Sequence, residues 1–425
     1  MRVVSLICLF ATSCFAVSSF AQTLDDTISS AISYHPELEE ARLEIALAEE
    51  QNLSAQALKG LSVSLGGAVF AQSQDSNRAF SFDLGETLVS QAQLDATYPL
   101  YTSGEIPASQ AQAEFYLEAA KAAFESKKQE VLANAIEAHL ELSRTSQQVR
   151  IRERNTERLS QQYAASEERF EVGVLTRTDV ALSQARYQAA IAGLALAQAE
   201  YDTAQSRYAE LTGIEAQLPV TPTESLEIPA SLDQAFALLR LENPGLRQLR
   251  SLERVQEQAK RAARSQRKTK LEAFGTATVQ DGRWDNDFRD TGATIGLRVS
   301  RSLYSNGRLL SDERQAGLEL QKARMRTRAA ENALIAQLSS VWAQEIAANR
   351  AVAAAEKEVE AARTALEGAE IEVGVGLRTV LDFLDQEQDL LDAELRLIEA
   401  RKNVYMARSQ ILAFLGELGA SETSD

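Results

Sequence analysis

Asp382, Asp385, Asp389 and Asp392 recur at steps of three, four and three. On a helix that spacing stacks four carboxylates in one narrow stripe. Such a stripe can hold a cation, share protons or set up a negative field. A solvated helix face carries the same pattern, and spacing alone leaves both readings open. "TRTDV" and "GLRTVLD" each follow the end of a long helical pattern. Asp179 in the first can act as a plain helix cap, its carboxylate accepting free N–H groups of the first turn. Covalent and acid–base chemistry finds no such grouping. His35 and His139 stand alone, without a nucleophile, ligand cluster or Gly-rich loop nearby, and read as structural residues. The chain reads as a non-enzyme with no cofactor and no metal.

The elements that position these residues are two long helices broken in the same way. "RFEVGVLTRTDV" begins at residue 169, and "IEVGVGLRTVLDFLDQEQ" at residue 371. Both carry Glu-Val-Gly-Val and an Arg-Thr pair, with Gly173, Gly374 and Gly376 as candidate break points. After the first break Val180, Ser183, Tyr187, Ala190 and Leu194 recur in steps of three and four. Adding 201 gives Leu381, Leu384, Gln388, Leu391 and Leu395, so the chain reads as an internal duplication with coiled-coil packing. Before each break a helical pattern runs from about 105 to 172 and from about 308 to 373, with no proline beyond its first turn. At 1.5 Å per residue each would span roughly 100 Å.

Composition agrees with few, long elements. The 425 residues include only 20 Gly and 7 Pro. Residues 1–21 have the form of a secretory leader ending at Ser19-Phe20-Ala21, with lipidation at Cys14 as the rival reading. Cys8 and Cys14, both of the cysteines, lie inside that leader. The formal charge of −17 disfavours a nucleic-acid partner. No later stretch approaches eighteen apolar residues, so no membrane-spanning helix is expected.

Four segments alternate with a period of two, at about 61–72, 88–101, 271–280 and 291–304. Polar loops, 72–87 and 280–291, join each pair. The turns "YPLYTSGE" and "RSLYSNGR" follow, with Gly104 and Gly307 swinging strand into helix. Alternation over about ten residues is the mark of a transmembrane β-strand. A membrane sheet must close, and the smallest barrels need about eight strands, so four must be completed by other copies of the chain.

At this point the chain resembles the TolC family of outer-membrane efflux proteins. The resemblance rests on "YHPEL" and "ENPGL", on the two strand-to-helix turns and on the two helix breaks, and it spans two tandem copies. These would be residues 22–213 and 231–418, with a linker at 214–230 and a tail at 419–425. The resemblance implies a mainly α chain within a homotrimer, whose twelve-stranded outer-membrane β-barrel continues as a twelve-helix periplasmic α-barrel. The shorter helices would stack in pairs, about 36–59 with 178–212 and about 244–269 with 379–416. Carried over by motif, Thr178, Asp179 and Arg378 match a periplasmic gate, and Asp382 with Asp385 match an acidic ring at the pore entrance. Val373 stands where some relatives place a Tyr that bonds the Asp. The implied role is a passive exit duct for efflux or type I secretion. It would work in the outer membrane of a Gram-negative bacterium, with a periplasmic adaptor (membrane fusion protein) and an inner-membrane pump of RND or ABC type. A periplasmic coiled-coil adaptor or spacer is the alternative; it would explain the helices but not the strands.

Overall fold

In a computed structural model, residues 23–73, 86–216, 226–284 and 288–419 are described. The expected leader, most of the 214–230 connector, most of the 72–87 loop and the end of the tail lie outside them. The order is α1 (Leu24–Tyr34), α2 (Pro36–Ala57), β1 (Ser62–Ser73), β2 (Glu86–Tyr101), α3 (Glu105–Glu171) and α4 (Arg177–Thr212). It continues with α5 (Leu232–Glu242), α6 (Pro244–Ser265), β3 (Lys270–Trp284), β4 (Phe288–Ser300), α7 (Arg308–Gly374) and α8 (Val380–Leu415).

The four strands form one antiparallel sheet in the order β1-β2-β3-β4. Its register sorts the side chains by polarity. Leu65 pairs with Leu94, Leu94 with Ala277 and Ala277 with Ala293, while Tyr98 pairs with Ala273 and Ala273 with Leu297. Because successive residues point to opposite faces, Val63, Leu65, Val69, Val279, Ile295, Leu297 and Val299 share one apolar side. Leu65 is 78% exposed and Ile295 90%. The other side is a polar network. Gln93 donates to Asp95 at 2.8 Å, Thr276 donates to Asp95 at 2.9 Å, and Arg298 lies 4.5 Å over the Phe274 ring while bonding Glu272 at 2.8 Å.

Two strand limits differ from the sequence expectation. The hairpin ladder of β3 and β4 continues to Gly282 opposite Phe288, so much of the expected 280–291 loop is strand. At its other end β4 stops at Ser300 instead of 304. The reason is pairing: Ser300 lies opposite Lys270, where β3 begins, and beyond it β4 has no partner.

Each strand-to-helix turn uses two left-handed residues in succession, Ser103 then Gly104 and Asn306 then Gly307. Gly104 has φ +92° and Gly307 +79°, where a Cβ would be strained. The helices that follow have 67 residues each, and α3 packs along α4 as α7 does along α8. The shorter helices meet end to end. Asn243, the N-cap of α6, donates to the Phe414 carbonyl at the end of α8 at 2.8 Å, and the Tyr34 ring lies against Gly213 at the end of α4. Among the described residues no helix is long and apolar enough to cross a membrane.

Two short helices escaped the sequence reading. α1 lays Ile28 on Leu132, Ile136 and Leu412, and α5 lays Ala235 and Leu239 on Leu338, Ile411 and Leu415. Both histidines do structural work. His35 caps α2, and His139 is fully buried, with its Nδ1 2.9 Å from the Thr27 hydroxyl, which also meets the Tyr208 hydroxyl at 2.9 Å.

Candidate functional site at the helix breaks

Both breaks are built from the same backbone. α3 ends at Glu171, and Gly173 takes φ +78°; α7 ends at Gly374, and Gly376 takes φ +80°. The residue after each left-handed glycine donates back across the turn, Val174 to the Arg169 carbonyl at 2.9 Å and Leu377 to that of Glu372 at 2.8 Å. This six-to-one bond satisfies carbonyls that the helix end would otherwise orphan. Gly374 is no part of the turn: it is the last helical residue of α7 and has no positive φ.

The equivalence of the two halves is therefore 203 residues, not 201. Gly104 matches Gly307, Gly173 matches Gly376 and Gly213 matches Gly416, all with positive φ. The repeated Glu-Val-Gly-Val string is offset by two from the geometry it suggests.

A helix restarts three residues beyond each glycine, at a capping box. The Thr176 backbone N–H and hydroxyl both donate to Asp179 Oδ2, at 3.0 and 2.7 Å, and the Asp179 N–H returns a bond to the hydroxyl at 3.3 Å. Thr379 and Asp382 repeat this at 3.0, 2.7 and 3.2 Å. Asp179 and Asp382 are thus equivalent residues and both cap helices. The Thr379 hydroxyl, then its amide, and more weakly the Arg378 charge hold the Asp382 carboxyl below the usual aspartate range.

The other expected residues are distributed around these caps. Thr178 is exposed on the first turn of α4. Arg378 pairs with Glu372 at the end of α7, so the chain on its own does not bring Arg378 to Asp179. Asp385 receives Arg186 of α4 at 3.1 Å, and Asp392 accepts from Gln388 at 3.0 Å. Asp382, Asp385 and Asp389 are exposed. Val373 is buried with Val380, Phe383 and Leu384, so the side chain at this position points into the coiled coil. Among the described residues no group of three His, Cys, Asp or Glu is placed to hold a metal ion.

One residue escaped the sequence reading altogether. Glu387 is buried between α8 and α3, taking Asn155 at 2.7 Å and Arg158 at 2.7 Å. Its signal was a charged residue inside an apolar stripe: Phe383 and Leu384 precede it, Leu390 and Leu391 follow it, and all four are buried.

Known proteins resemble this chain in sequence and in fold. The model of the outer membrane efflux protein family matches residues 27–214 and 236–417. The chain is 29% identical over 298 residues to the outer membrane efflux protein BepC of Brucella suis biovar 1, covering 69% of this chain and 65% of that one. With the alkaline protease secretion protein AprF of Pseudomonas aeruginosa it shares 25% over 275 residues, covering 63% of this chain and 57% of AprF. The alignments thus span less than two thirds of the length of either relative. Among solved structures, the outer membrane protein VceC of Vibrio cholerae superposes with a TM-score of 0.80 at 20% identity, over 92% of this chain and 96% of that one. The two matched segments, one on each half of the duplicated frame, take in most of the sequence, and the chain belongs to the outer membrane efflux protein family.

Proposed function

We propose that the chain is the outer-membrane exit channel of a tripartite efflux or type I secretion apparatus, working as a homotrimer. The observation that carries this reading is the four-stranded sheet. One face is apolar and exposed, the other is a polar network, and β1 and β4 each keep an open edge. In lipid an open edge leaves backbone groups unsatisfied at several kcal/mol each. Pairing β1 of one chain with β4 of the next removes every edge, and three chains then give a barrel of twelve strands with lipid outside and water within. Below it α3 and α7 continue the wall as a tunnel about 100 Å long.

The helix breaks then form the periplasmic tip. Thr178, Asp179 and Arg378 face the neighbouring coiled coils as a gate, and Asp382 with Asp385 from three chains make an acidic ring at the entrance. A periplasmic adaptor docks at the tip and links it to an inner-membrane pump of RND or ABC type, which supplies the energy. BepC is an efflux protein and AprF a secretion protein by name, so the shared architecture suits cargo of either kind.

The test is paired substitution on the two faces of the sheet. Leu65→Lys or Leu297→Lys, on the lipid side, should destabilise each chain by roughly 2 to 4 kcal/mol near the midplane and abolish SDS-resistant oligomers in the outer membrane. Ser64→Lys, on the lumen side, should be tolerated. Equal tolerance on both faces would overturn the barrel.

A further inference from the structure

The seam between the two coiled coils of one chain is lined with ion pairs. Going along α8 from its first turn, Asp385 meets Arg186 at 3.1 Å, Glu387 meets Arg158 at 2.7 Å, Glu394 meets Arg154 at 3.4 Å, and Lys402 meets Glu141 at 2.7 Å. Most of these are at least partly open to water, where a pair contributes little. Glu387 differs from the rest. It is 1% exposed. Asn155 Nδ2 at 2.7 Å and Arg158 Nε at 2.9 Å both donate to its Oε1, while its Oε2 is buried with no partner. A carboxylate so placed has lost its water and recovered only part of its hydrogen bonding.

The charged groups around it come from every neighbouring helix. Arg158 and Arg154 approach from α3, Arg363 from α7 is held by Glu394 at 3.3 Å, and Arg186 from α4 is held by Asp385. Glu394 on α8 itself opposes a second negative charge. Burial dominates and lifts the Glu387 carboxyl above the ordinary glutamate range, although Asn155 and Arg158 pull it back. Proton affinity is therefore higher in the buried arrangement than in a hydrated one. By linkage the neutral form favours the contact of α8 with α3; that contribution is full below the ordinary glutamate range and is lost as pH rises through the lifted value.

We infer that Glu387 is a positioning residue of the tip, its buried carboxylate setting how firmly coiled coil α7/α8 closes against α3/α4 and so how far the tip stands open at rest. The inference rests on the channel reading above. The equivalent of Glu387 in the first half is Gln184, which is exposed and uncharged, so the device belongs to one seam only. Ionised, Glu387 strains that seam and leaves it ready to part; neutral, it lets the seam close.

The experiment is resting conductance of the purified full-length protein in planar bilayers, titrated from about pH 8 to about pH 3.5 to span the ordinary and lifted glutamate ranges. Wild-type conductance should fall severalfold on acidification. Glu387→Gln keeps the shape and removes the charge, so it should sit near the acid value throughout and lose this part of the pH profile. Asn155→Ala removes a donor to the carboxylate and should move the midpoint up by roughly one pH unit. A wild-type profile in Glu387→Gln, or an unmoved midpoint in Asn155→Ala, overturns the inference and leaves the channel reading intact. If Glu387→Gln yields no SDS-resistant trimer, the Asn155→Ala midpoint decides alone. A wild-type protein that forms no pore at any pH overturns both.

Discussion

The two helix breaks share a backbone and differ in what they display. Gly173 and Gly376, Thr176 and Thr379, and Asp179 and Asp382 hold equivalent places with nearly equal geometry. Around that frame the first break carries Leu175, Leu182 and Gln184, where the second carries Arg378, Asp385 and Glu387. Left-handed glycine, capping threonine and N3 aspartate make the turn, and they recur because the turn must. The charges are not needed for the turn, since the first break folds without them. The difference places the acidic stripe and the buried Glu387 in the second half of the chain alone.

The sharpest way to break this contrast is through charge. Asp382→Asn with Asp385→Asn would remove six carboxylates from a trimer, each attracting a nearby cation by on the order of 1 kcal/mol in water. Block by a trivalent cation added on the periplasmic side should weaken by at least about tenfold, and cation preference should fall with it. Asn at Asp389 and Asp392 should do less. Undiminished block in the first variant would return the stripe to a solvated helix face.

The shared frame predicts equality where the displayed charges predict difference. Thr176→Ala and Thr379→Ala each remove the hydroxyl of a capping box and should each destabilise the local helix start by about 1 kcal/mol. Hydrogen exchange of the first-turn amides of α4 and α8 measures this. A large effect at one break and none at the other would mean that the two turns are not equivalent.

Smaller effects are expected from Arg378. Its pair with Glu372 is exposed, and such pairs contribute about 0.2 to 1 kcal/mol, so bonds of this strength can hold a tip shut yet yield to a docking partner. Arg378→Ser combined with Asp179→Ala should leave the trimer folded and raise resting single-channel conductance. Unchanged conductance would reduce these residues to surface charge and cap. The smallest effect concerns the pH response of the proposed acidic ring. Asp382 is held below the usual aspartate range by Thr379, so its contribution is present above that range and is lost only as pH falls through the lowered value. Cation preference should persist below the pH at which an ordinary aspartate neutralises; earlier loss would show that mutual repulsion in the ring outweighs the cap.

Much of this molecule was legible in the sequence, and the gaps have physical reasons. The 67-residue helices announce themselves by uninterrupted patterns between Gly104 and Glu171 and between Gly307 and Gly374. The strands show through alternation, and their register puts Leu65 and Leu297 on one face as the pattern suggests. The repeat was misaligned by two residues because α8 buries two neighbouring rows, Phe383 and Leu390 as well as Leu384 and Leu391. A heptad match is satisfied by either row, and only the glycine that needs positive φ decides between them. α1 and α5 have 11 residues each, too few to establish a period. Glu387 was hidden for the opposite reason: a charge in an apolar row looks like noise until Asn155 and Arg158 are seen to meet it.

In the proposed trimer the sheet closes only between chains, β1 of one against β4 of the next. Both cysteines of the sequence lie at positions 8 and 14, outside all four strands, so a pair of cysteines introduced into β1 and β4 can report the contact directly. One would be placed at Ser64 in β1 and the other, in separate proteins, at Thr294, Gly296 or Arg298 in β4, followed by oxidation in outer membranes and denaturing electrophoresis. A trimeric barrel requires a covalent ladder of two and three chains that ends at three for at least one pair. Monomers alone from every pair, or a ladder that runs past three, would contradict it.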